Sequence, residues 1–421
     1  MKKKKVKIGI IGGGAAGMMA AVSAAKILPG KEIAIFEKNQ VLGRKVLATG
    51  NGKCNFSNQN CSWSDYRKQN QKLVQEVFNT MSPQNTIVLF EEMGILSRTD
   101  SEGRIYPYSE QSSSVKEALE AEIQFANVIN VVNNTVMNVE KNVTGFEITL
   151  SNEEVWQAER LIIATGGKAG SQFGSTGDGY GFAKKFGHTL VRPMPALVQM
   201  LSSDKSFHLY KGVRAKGSVT LYKGKKSIAM EMGEIQFTEN GLSGICIFNL
   251  SRYLEPDCKD TFVKVDLFPE YSLSSLIEIL CRRKNFMGDR TVETFLYGIL
   301  NKKLIPSYLK QWGMDWKLPI SAISFEEVKS LTKILKSWMV PINGTKGWSE
   351  AQVTSGGINV SEINESTLES KQIPGLFFAG EVLDVDGKCG GWNLQWAWSS
   401  GYVAGRSASL SVNLRNKQGQ E

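Results

Sequence analysis

Ile8-Gly9-Ile10-Ile11-Gly12-Gly13-Gly14-Ala15-Ala16-Gly17 is the stretch from which the fold of this 421-residue chain is read. Lys7 to Ile11 is a short apolar, β-branched run, and Met18 to Ala25 is rich in small residues. Glycines spaced G-x-G-x-x-G between them predict strand, tight turn and helix. Gly12 permits the turn, Gly14 lets the backbone approach a pyrophosphate, and Gly17 lets helix pack on strand. The helix start at Ala15 and Ala16 offers unpaired N–H groups to phosphate. A second run, Glu32 to Phe36, follows at βαβ distance and leads into Glu37 and Lys38. Glu37 stands about twenty residues past the last glycine, where a carboxylate can accept both ribose hydroxyls. The pattern predicts a dinucleotide site. A secretion signal would need an uninterrupted apolar helix after Lys2 to Lys5, and the glycines break it.

The length allows two or three domains. No run reaches the eighteen apolar residues of a membrane span, which predicts a cytoplasmic protein with no membrane partner. Cys54, Cys61, Cys246, Cys258, Cys281 and Cys389 form no C-x-x-C pair, which argues against a zinc site, a disulfide framework or a dithiol centre, and no metal is expected. The net charge of +9 raises the question of nucleic acid. Its clusters, at Lys2 to Lys5, Lys223 to Lys226 and Arg282 to Lys284, are short, far apart and not interleaved with aromatics. They predict solvated surface and no stable nucleic-acid partner. An electropositive cleft for anionic ligands is the weaker inference. The two histidines, His188 and His208, are expected to be structural.

After Glu37, the segment Gly43-Arg44-Lys45 to Thr49-Gly50-Asn51-Gly52-Lys53-Cys54-Asn55 combines glycines, cations and amides suited to phosphate. Cys54 could be a reactive thiol, but with no partner cysteine it reads as packing. Helical spacing covers 70 to 94, and again Val115 to Phe125 after the turn Gly103-Arg104-Ile105-Tyr106-Pro107. Runs at Val128 to Val132, Phe146 to Leu150 and Val155 to Ala158 predict a β-meander. Arg160 to Ala164 then predicts a buried strand ending at Thr165-Gly166-Gly167, with Gly174 to Gly179 beyond it. No second G-x-G-x-x-G follows that strand, so a built-in NAD(P)H site is not expected.

The composition changes between about Arg192 and Pro341. Val213 to Phe237 alternates like antiparallel strands about a turn at Lys223-Gly224-Lys225, and Gly241 to Leu254 continues as another apolar run. Leu273 to Arg283, Val292 to Leu304 and Phe325 to Trp338 have helical periodicity. The end of the chain returns to the opening pattern, with a strand at Pro374 to Ala379, then Gly380, Glu381, Asp384 and Gly391-Trp392-Asn393-Leu394-Gln395. A helix of small residues, Ala397 to Ser409, follows. Two glycine-rich strand ends and two helix N-termini imply a ligand with two ends. FAD fits, with adenosine at Glu37, and the helix dipole near Leu394 favouring negative charge on the reduced flavin.

These motifs together, above all Gly380-Glu-Val-Leu-Asp-Val-Asp-Gly387 and Gly391-Trp-Asn-Leu-Gln-Trp-Ala-Trp-Ser-Ser-Gly401, resemble the BaiN-like flavoproteins, also called aminoacetone oxidase-like. These are bacterial NAD(P)/FAD-dependent oxidoreductases of the two-dinucleotide-binding-domain superfamily. The resemblance spans the chain and is strongest in the flanking segments. It implies an α/β fold: a Rossmann-like FAD-binding domain split in sequence (1–191 and 342–421), with an inserted β-barrel-like subdomain (192–272) and a helical subdomain (273–341). It implies non-covalent FAD, with NAD(P)H open as a transient reductant, and a small substrate such as an unsaturated oxo acid or an amino-ketone. The chain departs from the family pattern at Lys53, Glu239, Ile245 and Trp392. Hydride transfer at flavin N5 needs few acid–base groups; Cys54, Asn55, Asn393, Arg104 and Tyr106 are the candidates at the reactive end. A flavin-containing RNA-binding or RNA-modifying protein is the alternative. The sequence leaves the oligomeric state open.

Overall fold

The computed structural model describes residues 3–418; Lys2 of the first basic cluster lies outside them. The chain divides into two compact units, Met1–Pro195 with Ala351–Glu421, and Ala196–Glu350.

In the first unit, β1 (Lys4–Ile11), α1 (Ala15–Ala25) and β2 (Ile33–Phe36) form the expected βαβ start. Next come β3 (Ser57–Asn58), α2 (Gln71–Thr80), α3 (Pro83–Glu92), β4 (Ser97–Thr99), β5 (Arg104–Pro107) and α4 (Ser112–Phe125). The helical stretch expected over 70 to 94 is two helices, because Pro83 starts the second and Ser82 Oγ caps it by accepting from Asn85 N–H at 3.1 Å. Then come β6 (Ile129–Val131), β7 (Val136–Lys141), β8 (Phe146–Leu150), β9 (Val155–Ile163), α5 (Asp178–Lys185) and β10 (Leu190–Ala196).

The seven-stranded sheet has the order β6-β2-β1-β9-β8-β7, with a late strand added beside β9. The meander is therefore β7-β8-β9, not the one expected. The run at 128 to 132 lies parallel to β2, while β7, too polar on its outer face to stand out as a run, takes its place. The two runs 155 to 158 and 160 to 163 are one strand, β9.

The second unit begins with β11 (Met200–Ser202), α6 (Phe207–Tyr210), β12 (Arg214–Lys223), β13 (Lys226–Thr238), β14 (Gly241–Ser243), α7 (Ile245–Ser251) and β15 (Thr261–Asp266). Four helices follow, α8 (Leu273–Met287), α9 (Val292–Leu296), α10 (Ile305–Trp312) and α11 (Phe325–Leu335), and then β16 (Trp338–Thr345). Strands β11-β14-β13-β12-β15-β16 close into a barrel. Alternate residues such as Val219, Ile235, Val263 and Val340 fill it, together with stacked Phe237 and Trp338 rings 5.4 Å apart.

Three expectations fail here. The apolar run from Gly241 turns helical after three residues, since Gly244 at φ +112° packs against the Glu234 carbonyl and ends the strand. The helix expected over 292 to 304 stops at Leu296, before Gly298 at φ +77°. The helical run expected over Phe325 to Trp338 ends at Leu335, and Trp338 opens β16.

In the first unit again, β17 (Val353–Ile358) pairs with β10, β18 (Leu376–Phe378) joins β9, and α12 (Trp392–Gln418) closes the chain. The small residues of α12 let it lie directly on α1. A Cβ on Gly401 would come within 2.4 Å of the Ala16 carbonyl oxygen, and one on Gly405 within 2.1 Å of that of Ala20. Among the described residues no helix is long and apolar enough to cross a membrane.

Candidate functional site

Four parallel strands end level. Ile11 is in register with Phe36 on one side and Ile163 on the other, and Ile163 is in register with Phe378. Gly12, Glu37, Ala164 and Ala379, scattered through the sequence, therefore leave the sheet along one line. Backbone bonds continue the ladder past the strands, from Gly12 N to Phe36 O (2.8 Å), Ala164 N to Ile11 O (2.8 Å) and Ala379 N to Ile163 O (3.1 Å). The carboxyl edge of a parallel sheet is where such folds bind ligands. A cleft of about 1210 Å³ opens along it.

The glycines of the opening motif separate by what their missing side chains would meet. A Cβ on Gly12, which has φ +101°, would sit 2.6 Å from the Ala164 carbonyl oxygen; one on Gly17 would sit 1.8 Å from that of Gly12. Both are demanded by the protein's own packing. A Cβ on Gly14 would meet no protein atom within 4 Å, yet Gly14 lines the cleft. What Gly14 leaves open is ligand space beside the start of α1, and the cradle fits a pyrophosphate.

At one end of the cleft Glu37 is buried. Its Oε2 accepts from Gly13 N–H (2.7 Å), and its Oε1 from the backbone N–H (2.8 Å) and side-chain amide (2.7 Å) of Asn39. These bonds fix the carboxylate at the end of β2, where a ribose would reach it. Arg44 donates to Asn39 Oδ1 (3.0 Å), and Lys38 donates to Thr176 and pairs with Asp178. At the other end Lys45 and Glu381 form an ion pair at 2.9 Å, and Glu381 Oε1 also accepts from Thr354 N–H (2.9 Å). The first turn of α12 supplies Asn393 and Leu394 to the wall and points a helix N-terminus there.

Of the residues singled out in the sequence, Gly12, Gly14, Ala15, Ala16, Glu37, Lys38, Arg44, Lys45, Thr49, Ala164, Thr165, Gly166, Gly380, Glu381, Asn393 and Leu394 line the cleft. The others stand behind or beside it. Gly17, Gly167 and Gly391 are close-packing positions; a Cβ on Gly391 would meet the Ser57 carbonyl oxygen at 2.4 Å. Gly43 turns the chain at φ +66°. Gly50, Asn51 and Gly52 are exposed, with Asn55 folded against Gly50.

Several expected roles are corrected. Cys54 is fully buried, and burial pushes its thiol up to about 12, so it is not a reactive group. Gln395 is buried in hydrogen bonds to Ser57, Thr86 and Ser399. Trp392 donates to Asp65 (3.1 Å). Asn393 spends its side chain clamping Gly387 and Lys388, so at the cleft it offers backbone and surface. Asp384 is buried and outside the cleft lining, and burial raises its carboxyl above the usual range. Arg104 and Tyr106 remain candidates: they lie on the three-stranded sheet β3-β5-β4, outside the cleft lining, with Arg104 packed against Gly390 and paired to Asp100 (2.7 Å) and Glu102 (3.1 Å).

The sequence reading missed Gly13, Asn39, Asn134 to Val136, Phe173 and Gln352, all on the wall. The paired amides Asn133-Asn134 after β6 were the available signal, since Asn134 N–H bonds the Glu37 carbonyl (3.2 Å).

A family model described as the HI0933-like protein Rossmann domain matches residues 6–407. The chain is 36% identical over 406 residues to a 3-dehydro-bile acid delta(4,6)-reductase of Clostridium scindens, covering 96% of this chain and 99% of that protein. It is 33% identical over 405 residues to a ribosomal RNA dihydrouridine synthase of Haemophilus influenzae, covering 95% and 98%. Among solved structures, a 3-ketosteroid delta1-dehydrogenase of Sterolibacterium denitrificans superposes with TM-score 0.53 at 13% identity, covering 97% of this chain and all of that one, which is a likeness of fold.

Proposed function

We propose that this chain, which belongs to the HI0933-like Rossmann-domain family and is an FAD-dependent oxidoreductase, reduces a carbon–carbon double bond conjugated to a carbonyl. The observation that carries this reading is the chemistry shared by two relatives of near-equal length. A delta(4,6)-reductase of a 3-oxo bile acid and a dihydrouridine synthase both saturate an alkene next to a carbonyl, in a steroid and in a uracil ring.

The cleft's own residues would serve such a reaction as holders. Glu37 would accept the ribose hydroxyls, Gly14 with the start of α1 would take the pyrophosphate, and Arg44 would add positive charge. Glu381, Lys45 and the N-terminus of α12 would hold the other end, where the dipole favours an anionic ring edge. When bound without a covalent link, FAD supplies hydride at N5. A reduced nicotinamide nucleotide is the proposed electron source, meeting the flavin only transiently.

The unit Ala196–Glu350 carries 22 basic and 16 acidic side chains, which supports a second reading in which the reduced ring is a uracil within RNA. The test is direct. The purified protein should show flavin absorption, and once reduced without oxygen it should be reoxidised by a 3-oxo-4,6-diene bile acid or by a uridine-bearing ribosomal RNA fragment. RNA as substrate adds a steep loss of binding with salt. Reduced flavin that neither compound reoxidises would rule out the proposal.

A further inference from the structure

Saturating an alkene conjugated to a carbonyl consumes a hydride at the β carbon and a proton at the α carbon. At the Lys45–Glu381 end of the cleft the nearby donors Thr49, Lys45, Cys389 and Tyr66 are already engaged. Thr49 Oγ donates to the Val46 carbonyl (2.6 Å), Lys45 is paired with Glu381, and the Cys389 thiol is bonded to Gln352. Tyr66 Oη donates to the Trp392 carbonyl (2.7 Å).

The three-stranded sheet at this end holds another candidate. β3 docks it on the turn before α12, where Asn58 donates to the Gly390 carbonyl (2.9 Å). On β5, Arg104 and Tyr106 point to one face while Ile105 and Pro107 are buried. The stem of Arg104 passes 3.6 Å from where a Cβ of Gly390 would be, two residues before the first turn of α12 that lines the cleft. On the far side, Arg98 sits opposite Tyr106 across the β4–β5 ladder and shares Glu110 with Lys53, of the same loop as the lining residue Thr49. Tyr106 thus shares its face with Arg104, which packs beside the turn before α12, and with Arg98, which is linked through Glu110 to Lys53. It is half-buried, and its hydroxyl finds no acceptor among the described residues.

Building on the alkene reduction above, we infer that Tyr106 is the proton donor of that reaction. As hydride reaches the β carbon, the Tyr106 O–H bond breaks and its proton forms the new C–H bond at the α carbon. The phenolate left beside Arg104 and Lys53 recovers a proton from water, and a reduced nicotinamide or dithionite restores the flavin. Burial raises the Tyr106 phenol above its ordinary value, more than Arg104 and Lys53 lower it, so it is protonated and able to donate at neutral pH.

The experiment mixes anaerobically reduced holoprotein, wild type and Tyr106→Phe, with two acceptors. One is whichever substrate the wild type reduces, the bile-acid dienone or the uridine RNA. The other is 1-nitrocyclohexene, whose hydride adduct is a stable nitronate needing no proton. In Y106F, flavin reoxidation by the first should slow at least about hundredfold, the range of a general acid. Reoxidation by the nitroalkene should stay within about threefold, with nitronate accumulating. Equal slowing of both would make Tyr106 structural and overturn the inference, as would no slowing of either. A wild type that reduces the nitroalkene but neither natural probe would defeat the alkene-reduction reading itself, and this inference with it. Independently, the 295 nm difference titration between wild type and Y106F should place the phenol above the ordinary tyrosine value of about 10, and an ionisation below pH 8 would exclude a donor.

Discussion

Gly12 and Gly14 belong to one motif but answer to different partners. Gly12→Ala drives a Cβ into the Ala164 carbonyl from a left-handed backbone, so we expect a loss of about 1–3 kcal/mol in stability and a lower Tm even without FAD. Gly14→Ala places its Cβ in open cleft, and its φ of −79° suits any residue. The loss of stability should stay near or below about 1 kcal/mol while FAD affinity falls tenfold or more, measured by titrating apoprotein with FAD. Equal effects of the two substitutions on affinity would contradict this division.

His188 is buried, with Nδ1 2.9 Å from Glu362 Oε2 and Nε2 2.8 Å from Ser370 Oγ. Burial outweighs the Glu362 carboxylate and lowers its pKa below 6.5. The unfolded chain therefore binds a proton that the folded chain refuses, so this contribution to stability is whole above about pH 6.5 and drains away as pH falls towards the folded value. Thermal melts from pH 8 to 5.5 should decline below pH 6.5 in wild type, with a smaller decline in His188→Gln.

At the level of elements, α1 and α12 meet through Ala16, Ala20, Gly401 and Gly405 with backbone nearly touching backbone. Gly405→Val should therefore separate the helices and cost about 3 kcal/mol or more, seen as a lower denaturant midpoint. The small residues of α12 were legible in the sequence, as were the glycine turns, the βαβ start and the strand ends that carry Glu37 and Glu381. Periodicity reports burial and is blind to pairing. The parallel placement of β6 beside β2 and the closure of the barrel by β16, across four helices, left no local mark. The cleft wall from Asn134 to Val136 was illegible for the same reason, since it reaches the site through strand order. Gln395 and Asn393 looked like ligand groups because polar residues near glycines resemble a site, yet Asn393 clamps the loop at Gly387 and Lys388 while Gln395 ties α12 to β3 and α3.

At the scale of the whole molecule, two separate hydrophobic cores, one per unit, predict two components in a calorimetric unfolding trace. Every residue of the cleft belongs to the first unit. FAD should therefore raise one component, by about 2.7 kcal/mol at a hundredfold excess over Kd, and leave the other in place. A single transition that moves as a whole would show that the units unfold together.

The level row of strand ends also sets a timetable. Leu376 to Phe378 complete an edge presented by Leu161 to Ile163, which left the ribosome more than two hundred residues earlier. At typical rates of synthesis that is a wait of roughly ten to forty seconds. Throughout it the ends of β1, β2 and β9 can assemble, but the half of β9 reserved for β18 presents bare N–H and C=O groups, an open invitation to other chains. Glu381, Asn393 and Leu394 arrive only after that edge is sealed, so a nascent chain cannot capture its flavin until nearly the last segment has emerged.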